Sequence, residues 1–233
     1  MIRQIIFGMS ILVLIFSATQ ALTAEDDGFV SLFDGKTLKG FTHRNGVATY
    51  RVENGAIVGR TALGSPNSFL CTNQAYCDFE LLVEVKVDPV INSGIQIRSR
   101  SSENYRDGRV HGPQVEIEAA PGRSGYIYSE ATGRNWLSPD LKIKDALKND
   151  RWNHYRILAV GPRIQTWING VPVEDLTDKQ SSKCGFIGFQ VHSEKDRGPF
   201  EVRWRNMKIK DLSPEKAAKS QDVQFQKAPD VQQ

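Results

Sequence analysis

The stretch Phe79-Glu80-Leu81-Leu82-Val83-Glu84-Val85-Lys86-Val87 decides the fold class of this chain. Phe79, Leu81, Val83, Val85 and Val87 fall on one side, and Glu80, Glu84 and Lys86 on the other. Successive side chains of a strand point to opposite faces, so this alternation predicts a β-strand with one face in a core. The same period recurs on both sides of it. Asn54-Gly55 separates residues 49–53 from 56–59, and Asn169-Gly170 separates 163–168 from 171–174. Asn-Gly suits a two-residue hairpin turn, whose central positions need positive φ. Further strands are predicted at 93–99, 113–119, 125–129, 152–160, 185–192 and 200–212. In the last, the apolar phase shifts between Trp204 and Met207, which predicts a β-bulge near Arg205-Asn206. Residues 140–148 suggest one short helix. About ten strands without an internal linker predict a single all-β domain over 29–212, built as a two-sheet antiparallel sandwich.

The ends of the 233-residue chain read differently. Arg3, the apolar run Ile5 to Phe16 and the small or polar residues 17–24 have the layout of a secretory signal peptide, cleaved after Ala21 or Ala24. The run is shorter than the roughly 20 residues that span a bilayer. No cysteine near the cleavage point suggests a lipid anchor. The protein is therefore expected to be exported, periplasmic or secreted, without stable membrane association. Residues 213–233 are polar and nearly free of large apolar side chains, the composition of a disordered tail. Loss of Arg3 leaves 29 basic against 27 acidic residues, a net +2. That balance favours neither nucleic acid nor an anionic membrane and suits a neutral or weakly charged substrate. Of Cys71, Cys77 and Cys184 one at least is odd; a Cys71–Cys77 bridge is one option, and sequence does not fix the pairing. No Cys-x-x-Cys or His-Glu-x-x-His spacing supports a zinc site.

Chemistry gathers on the polar faces of the strands. Ile95 and Ile97 oppose Gln96, Arg98 and Arg100, while Val115 and Ile117 oppose Gln114, Glu116 and Glu118. Tyr126 and Tyr128 flank Ile127, and Ile187, Phe189 and Val191 oppose Gln190 and His192. One face of an antiparallel sheet often simply meets water. Solvated faces usually mix in Lys, Thr and Ser, whereas these amides, carboxylates, phenols, guanidinium and imidazole bind sugar hydroxyls or move protons.

Gln114-Val-Glu116-Ile-Glu118 also looks like the alternating carboxylate strand of β-glucanases with a concanavalin-type sandwich. Residues two apart on a strand lie about 6.5–7 Å apart on one face. A retaining glycosidase needs two carboxyl groups about 5–5.5 Å apart. The position that carries the nucleophile in that family is here Gln114, and an amide cannot form the glycosyl ester.

Longer motifs sharpen the reading. Phe29-Val-Ser-Leu-Phe-Asp-Gly-Lys-Thr-Leu-Lys-Gly-Phe41 is similar to an "LFDGKTLxGW" opening, with Phe41 where Trp is usual. Tyr76-Cys-Asp-Phe-Glu-Leu81, Asn92-Ser-Gly-Ile-Gln-Ile-Arg98, Gly112-Pro-Gln-Val-Glu-Ile117 and Gly125-Tyr-Ile-Tyr128 follow in order. Trp152-Asn153, Gly185-Phe-Ile-Gly-Phe-Gln-Val-His192 and Arg205-Asn206 complete the set. Together they resemble the 3-keto-disaccharide hydrolase domain family, also described as 3-keto-glucoside hydrolases. The resemblance implies a jelly-roll sandwich of the concanavalin A-like lectin/glucanase type and a small keto-sugar glycoside as substrate.

A ketone at carbon 3 acidifies the hydrogen on carbon 2 and allows the glycosidic oxygen to leave by elimination, with or without later addition of water. Such chemistry needs a base, an enolate stabiliser and an acid, and no carboxylate nucleophile. His192 is assigned as base and Arg98 as enolate stabiliser. Glu116 is assigned as proton donor or as the partner that orients His192; the roles of His192 and Glu116 could be exchanged. Gln114, Gln190, Tyr128, Gln96 and Glu118 are assigned to sugar binding. The sequence requires no cofactor, although Glu116, Glu118 and His192 could together hold a divalent metal. Trp152-Asn153 and Arg205-Asn206 read as structural. The competing classes are a non-catalytic sugar-binding module that stacks its ligand on Trp136, Tyr126 or Tyr128, and a conventional glucanase.

Overall fold

The fold is that of a computed structural model, which describes residues 28–213. The expected leader, and all of the expected tail 213–233 except Ser213, lie outside the described residues. In chain order the strands are β1 (Val30–Ser31), β2 (Phe41–Arg44), β3 (Thr49–Glu53), β4 (Ala56–Arg60), β5 (Ser68–Thr72), β6 (Phe79–Val87), β7 (Asn92–Ser99) and β8 (Gly112–Glu118). They continue with β9 (Ile127–Glu130), β10 (Asn135–Trp136), β11 (Asn153–Val160), β12 (Arg163–Ile168), β13 (Val171–Thr177), β14 (Phe186–Val191) and β15 (Glu201–Asp211). One sheet runs β13-β12-β11-β6-β15-β4-β3, with β1 added beside β15; the other runs β10-β9-β8-β7-β14-β5-β2. Neighbouring strands are antiparallel in both, so the sandwich is as expected.

The inward faces make one core. Phe79, Leu81, Val83, Val85 and Val87 of β6 are buried against a cluster that includes Ile95, Val115, Ile117, Phe189 and Val191 from the opposing sheet. Each such aliphatic side chain contributes about 1.5–3 kcal/mol by leaving water. Trp204 is fully buried between Tyr50 and Phe189, with ring centroids 6.4 and 5.5 Å away.

Of the register shifts, which also include one between β12 and β13 at Thr166/Trp167, two bear on Asn206 and Arg98. The β15 register shifts between Arg205 and Lys208, where Asn206 has φ 50° and donates to Glu84 at 2.8 Å; this is the expected bulge. A second bulge was not legible. Gly188 pairs with Gln96 and Phe186 with Ser99, so β7 carries one extra residue, and Arg98 adopts φ 47°.

Two expectations are corrected. Residues 140–148 form no helix; they run irregularly over the sandwich. Groups elsewhere in the chain take the backbone groups a helix would need: the Asn153 side chain accepts from Lys148 N at 2.7 Å and donates to Lys148 O at 2.9 Å, and the backbone Gly122 N–H donates to Lys144 O. The disulfide is Cys77–Cys184 rather than Cys71–Cys77. Cys71 sits in β5 with its side chain buried beside Phe69 and Val110, while Cys77 lies in the preceding turn of β6, next to the start of β14.

Candidate active site

The site is written in the register of the seven-stranded sheet, on the face turned away from the core. Gln190 of β14 pairs with Gly94 of β7, which pairs with Glu116 of β8. One row below, Gly188 pairs with Gln96, Gln96 with Gln114, and Gln114 with Tyr128 of β9. This grid floors a hollow of about 600 Å³, within the range of small-ligand sites. Glu116, Gln114, Gln190, Tyr128 and His192 line it, as do Asn67, Asn92, Arg106, Arg109, Arg123, Glu130 and Trp136.

A chain of hydrogen bonds converges on one carboxyl group. Ser99 Oγ donates to Gln96 Oε1 at 2.7 Å, Gln96 Nε2 to Gln114 Oε1 at 2.6 Å, and Gln114 Nε2 to Glu116 Oε2 at 3.1 Å. Asn92 Nδ2 donates to the other oxygen of Glu116. Glu116 is only 4% exposed. Burial pushes its carboxyl up to about 7; the two amide donors and Arg123 pull it down, and the Glu118 charge pushes it up. A carboxyl poised there both holds and releases a proton near neutral pH.

His192 stands just beyond the end of β14. Its Nδ1 donates to Ser193 O at 2.8 Å, since a carbonyl can only accept. In the neutral imidazole that bond puts the hydrogen on Nδ1 and leaves Nε2 as the nitrogen a base would use. The orienting partner is thus the Ser193 carbonyl, and not Glu116 as one reading of the sequence had it.

Three assigned residues stand elsewhere. Arg98 is not on the site face: the bulge in β7 turns its side chain to the end of the sandwich. There its guanidinium donates to Cys77 O and Gly161 O, both at 2.5 Å, and to Asp78 at 3.0 Å. Glu118 is committed to Arg123, which it holds through Nε, Nη2 and the backbone N–H at 2.8–3.0 Å. Gln96 lies beneath the hollow and bonds Gln114 rather than lining it. Tyr126, named as a stacking candidate, is buried with its hydroxyl accepting from Ile143 N at 2.7 Å.

Several lining residues escaped the sequence reading as site groups. Asn92 lay within a family motif but was not singled out. Arg123, Arg109, Glu130 and Asn67 come from loops or strand ends, where no alternation marks a face. The Arg123 guanidinium lies 4.9 Å from the Trp136 ring centroid, and Tyr128 meets Trp136 edge-on at 5.3 Å, forming one wall. The Arg109 guanidinium donates to Glu130 at 2.9 Å, Asn67 Nδ2 donates to the same oxygen at 3.4 Å, and together they form the other. No three His, Cys, Asp or Glu side chains converge on a metal site among the described residues. With Glu118 committed to Arg123, the suggested Glu116–Glu118–His192 set does not fit a metal.

The sequence profile of the 3-keto-alpha-glucoside-1,2-lyase-like domain matches residues 28–210. The chain belongs to that family. Among solved structures, this family member is similar to a protein from Parabacteroides distasonis provisionally described as a glycosyl hydrolase, at 22% identity and a TM-score of 0.58. The match covers 80% of this chain and 94% of that one. The carbohydrate-binding module CBM66 of Bacillus subtilis superposes with a TM-score of 0.54 at 17% identity, covering 73% of this chain and 95% of the module. The β-glucanase of Bacillus licheniformis gives 0.52 at 11% identity, covering 79% and 97%. At these identities the likenesses establish the jelly-roll fold alone. No curated protein matches the chain.

Proposed function

We propose that this 3-keto-alpha-glucoside-1,2-lyase-like domain cleaves glycosides whose sugar carries a ketone at carbon 3, by elimination. One observation carries the reading. The buried carboxyl of Glu116 is poised at about 7, and its neighbour at the glucanase nucleophile position, Gln114, is an amide that donates to it. The arrangement suits proton transfer and lacks a covalent nucleophile at that position.

His192 Nε2 removes the hydrogen on carbon 2, and its electron pair forms the enolate of the carbon 3 ketone. A lining guanidinium, Arg123 or Arg109, faces the enolate oxygen and takes the role that Arg98 cannot reach. The enolate then collapses, the bond from carbon 1 to the glycosidic oxygen breaks, and Glu116 gives its proton to the departing oxygen. The products are an alcohol and a ketone conjugated to a new double bond between carbons 1 and 2. Water adding across that bond gives the free 3-keto sugar, and solvent returns the protons of His192 and Glu116 to their starting state. Gln114, Gln190, Asn92 and Tyr128 hold sugar hydroxyls, and no metal step is invoked. We also place the reaction outside the cytoplasm, a reading supported by the leader pattern and by a disulfide that persists in oxidising compartments.

The test is p-nitrophenol release from the 3-keto glucoside and from the unoxidised glucoside, by wild type and His192→Ala. Release from the keto substrate alone, lost in the variant, supports elimination. The Tyr128–Trp136 wall favours one second reading, a sugar-binding module, to which binding without release from either substrate would point. Release from the plain glucoside would revive the glucanase class.

A further inference from the structure

The segment joining β7 to β8, residues 100–111, has hollows on both sides. Arg106 and Arg109 face the catalytic one, while Arg100, Tyr105 and His111 face a second, of about 630 Å³, whose far wall is Arg44 at the end of β2. No Asp or Glu lines this second hollow. Many arginines are matched: Arg98, Arg109, Arg123, Arg134, Arg156 and Arg205 each face a carboxylate within 3.0 Å, whereas Arg60, Arg106 and Arg151 are scattered single exceptions among the described residues. Arg44 and Arg100 face none among the described residues.

The geometry gathers these groups rather than scattering them. The backbones of Arg100 and His111 exchange hydrogen bonds of 3.0 and 2.9 Å as an antiparallel bridge, so their side chains stand on the same side. His111 Nδ1 donates to Arg109 O at 2.9 Å and its ring lies 3.9 Å from that of Tyr105, so the imidazole is fixed as part of the wall and the donors for an anion are the two guanidinium groups. The Arg44 guanidinium is held 5.7 Å from the Phe186 ring centroid, and its Nε is buried without an acceptor among the described residues. A buried donor left unpaired costs about 1–3 kcal/mol, and guanidinium recognises carboxylate and sulfate through paired N–H groups.

We propose that this hollow is an anion site, which takes a carboxylate or sulfate group either as a free anion or carried on a sugar chain. The proposal is independent of the chemistry assigned to the Glu116 hollow.

The experiment is isothermal titration of the intact protein at low ionic strength, with inorganic sulfate and with a short oligogalacturonate as probes. Wild type is compared with Arg44→Gln, Arg100→Glu and Arg60→Glu; the last removes an exposed cation on the other sheet. Saturable binding of at least one probe is expected, weakened about tenfold or more by the Arg44 and Arg100 changes and spared by Arg60→Glu. Tighter binding of the oligogalacturonate assigns a chain-borne group, and binding of sulfate at least as tight assigns a free anion. If Arg44→Gln fails to fold, the exposed Arg100→Glu decides alone. No saturable binding, or binding indifferent to these residues, or equal loss in Arg60→Glu, overturns the proposal.

Discussion

Gly94 and Gln114 share one space: a Cβ on Gly94 would lie 2.3 Å from Cδ of Gln114 and 2.5 Å from its Cγ. The Gln114 amide lies over the bare backbone of its neighbour strand, and from there it reaches Glu116. A side chain at position 94 therefore acts on the carboxyl through Gln114. Gly94→Ala is expected to leave the fold in place and to displace the amide. Cleavage of the keto substrate should fall about tenfold or more, the size of one lost hydrogen bond to a charged group. Steady-state kinetics beside circular dichroism checks it.

The donors on Glu116 set its proton affinity, and this fixes a pH dependence. As proton donor Glu116 works while protonated, so kcat/KM should fall above about pH 7. Asn92 and Gln114 both lower the carboxyl towards its ordinary value. Asn92→Ala should therefore move the alkaline limb to higher pH. A pH–rate profile of the two proteins measures the displacement.

The same carboxyl makes stability depend on pH. Its folded value of about 7 stands above the ordinary 4.5, so between these values the native state holds the proton more tightly than the unfolded chain. Stability then falls as pH rises through that window, by on the order of 3 kcal/mol if the whole shift is expressed. Glu116→Gln should lack this slope. Urea unfolding at pH 5 and pH 8 should show wild type losing ground to the variant.

Arg98 should behave as a structural residue. Removing a buried, paired guanidinium leaves Asp78 and two carbonyls without their donor, a cost of about 3–5 kcal/mol. Arg98→Ala is expected to lower the melting temperature sharply while molecules that remain folded keep their kcat. A large loss of kcat at unchanged stability would return Arg98 to the catalytic set.

Strand positions, hairpin turns and the sandwich were legible because alternation of side chains is a direct consequence of strand geometry. Four strands were not: Val30–Ser31, Phe41–Arg44 and Asn135–Trp136 are too short to show a period, and Ser68–Thr72 is buried on both faces and carries no alternation. Glu116, Gln114, Gln190, Tyr128 and His192 were legible as one face because their strands keep phase across the sheet. Arg98 misled because one extra residue in β7 reverses the phase after Gln96, and no Gly or Pro marks the place. The walls of the hollow were hidden for another reason. Arg109, Arg123 and Asn67 sit in loops, where only the three-dimensional path decides which side chains meet.

The disulfide closes a loop with a sequence separation of 107, for which chain entropy implies about 4–5 kcal/mol. Cys71 is fully buried and its thiol is pushed up to about 12. A thiol reagent should thus find no reactive group in the native protein and one after unfolding, with three only after reduction.

The central claim is removal of the carbon 2 hydrogen before the glycosidic bond breaks. The most direct measurement follows deuterium placed at carbon 2 of a p-nitrophenyl 3-keto-glucoside, with the enzyme-free exchange subtracted. Elimination predicts that each molecule of p-nitrophenol released is matched by loss of that deuterium, and that His192→Ala abolishes both. Release of p-nitrophenol with the deuterium retained on the sugar would mean displacement at carbon 1 and would contradict the account.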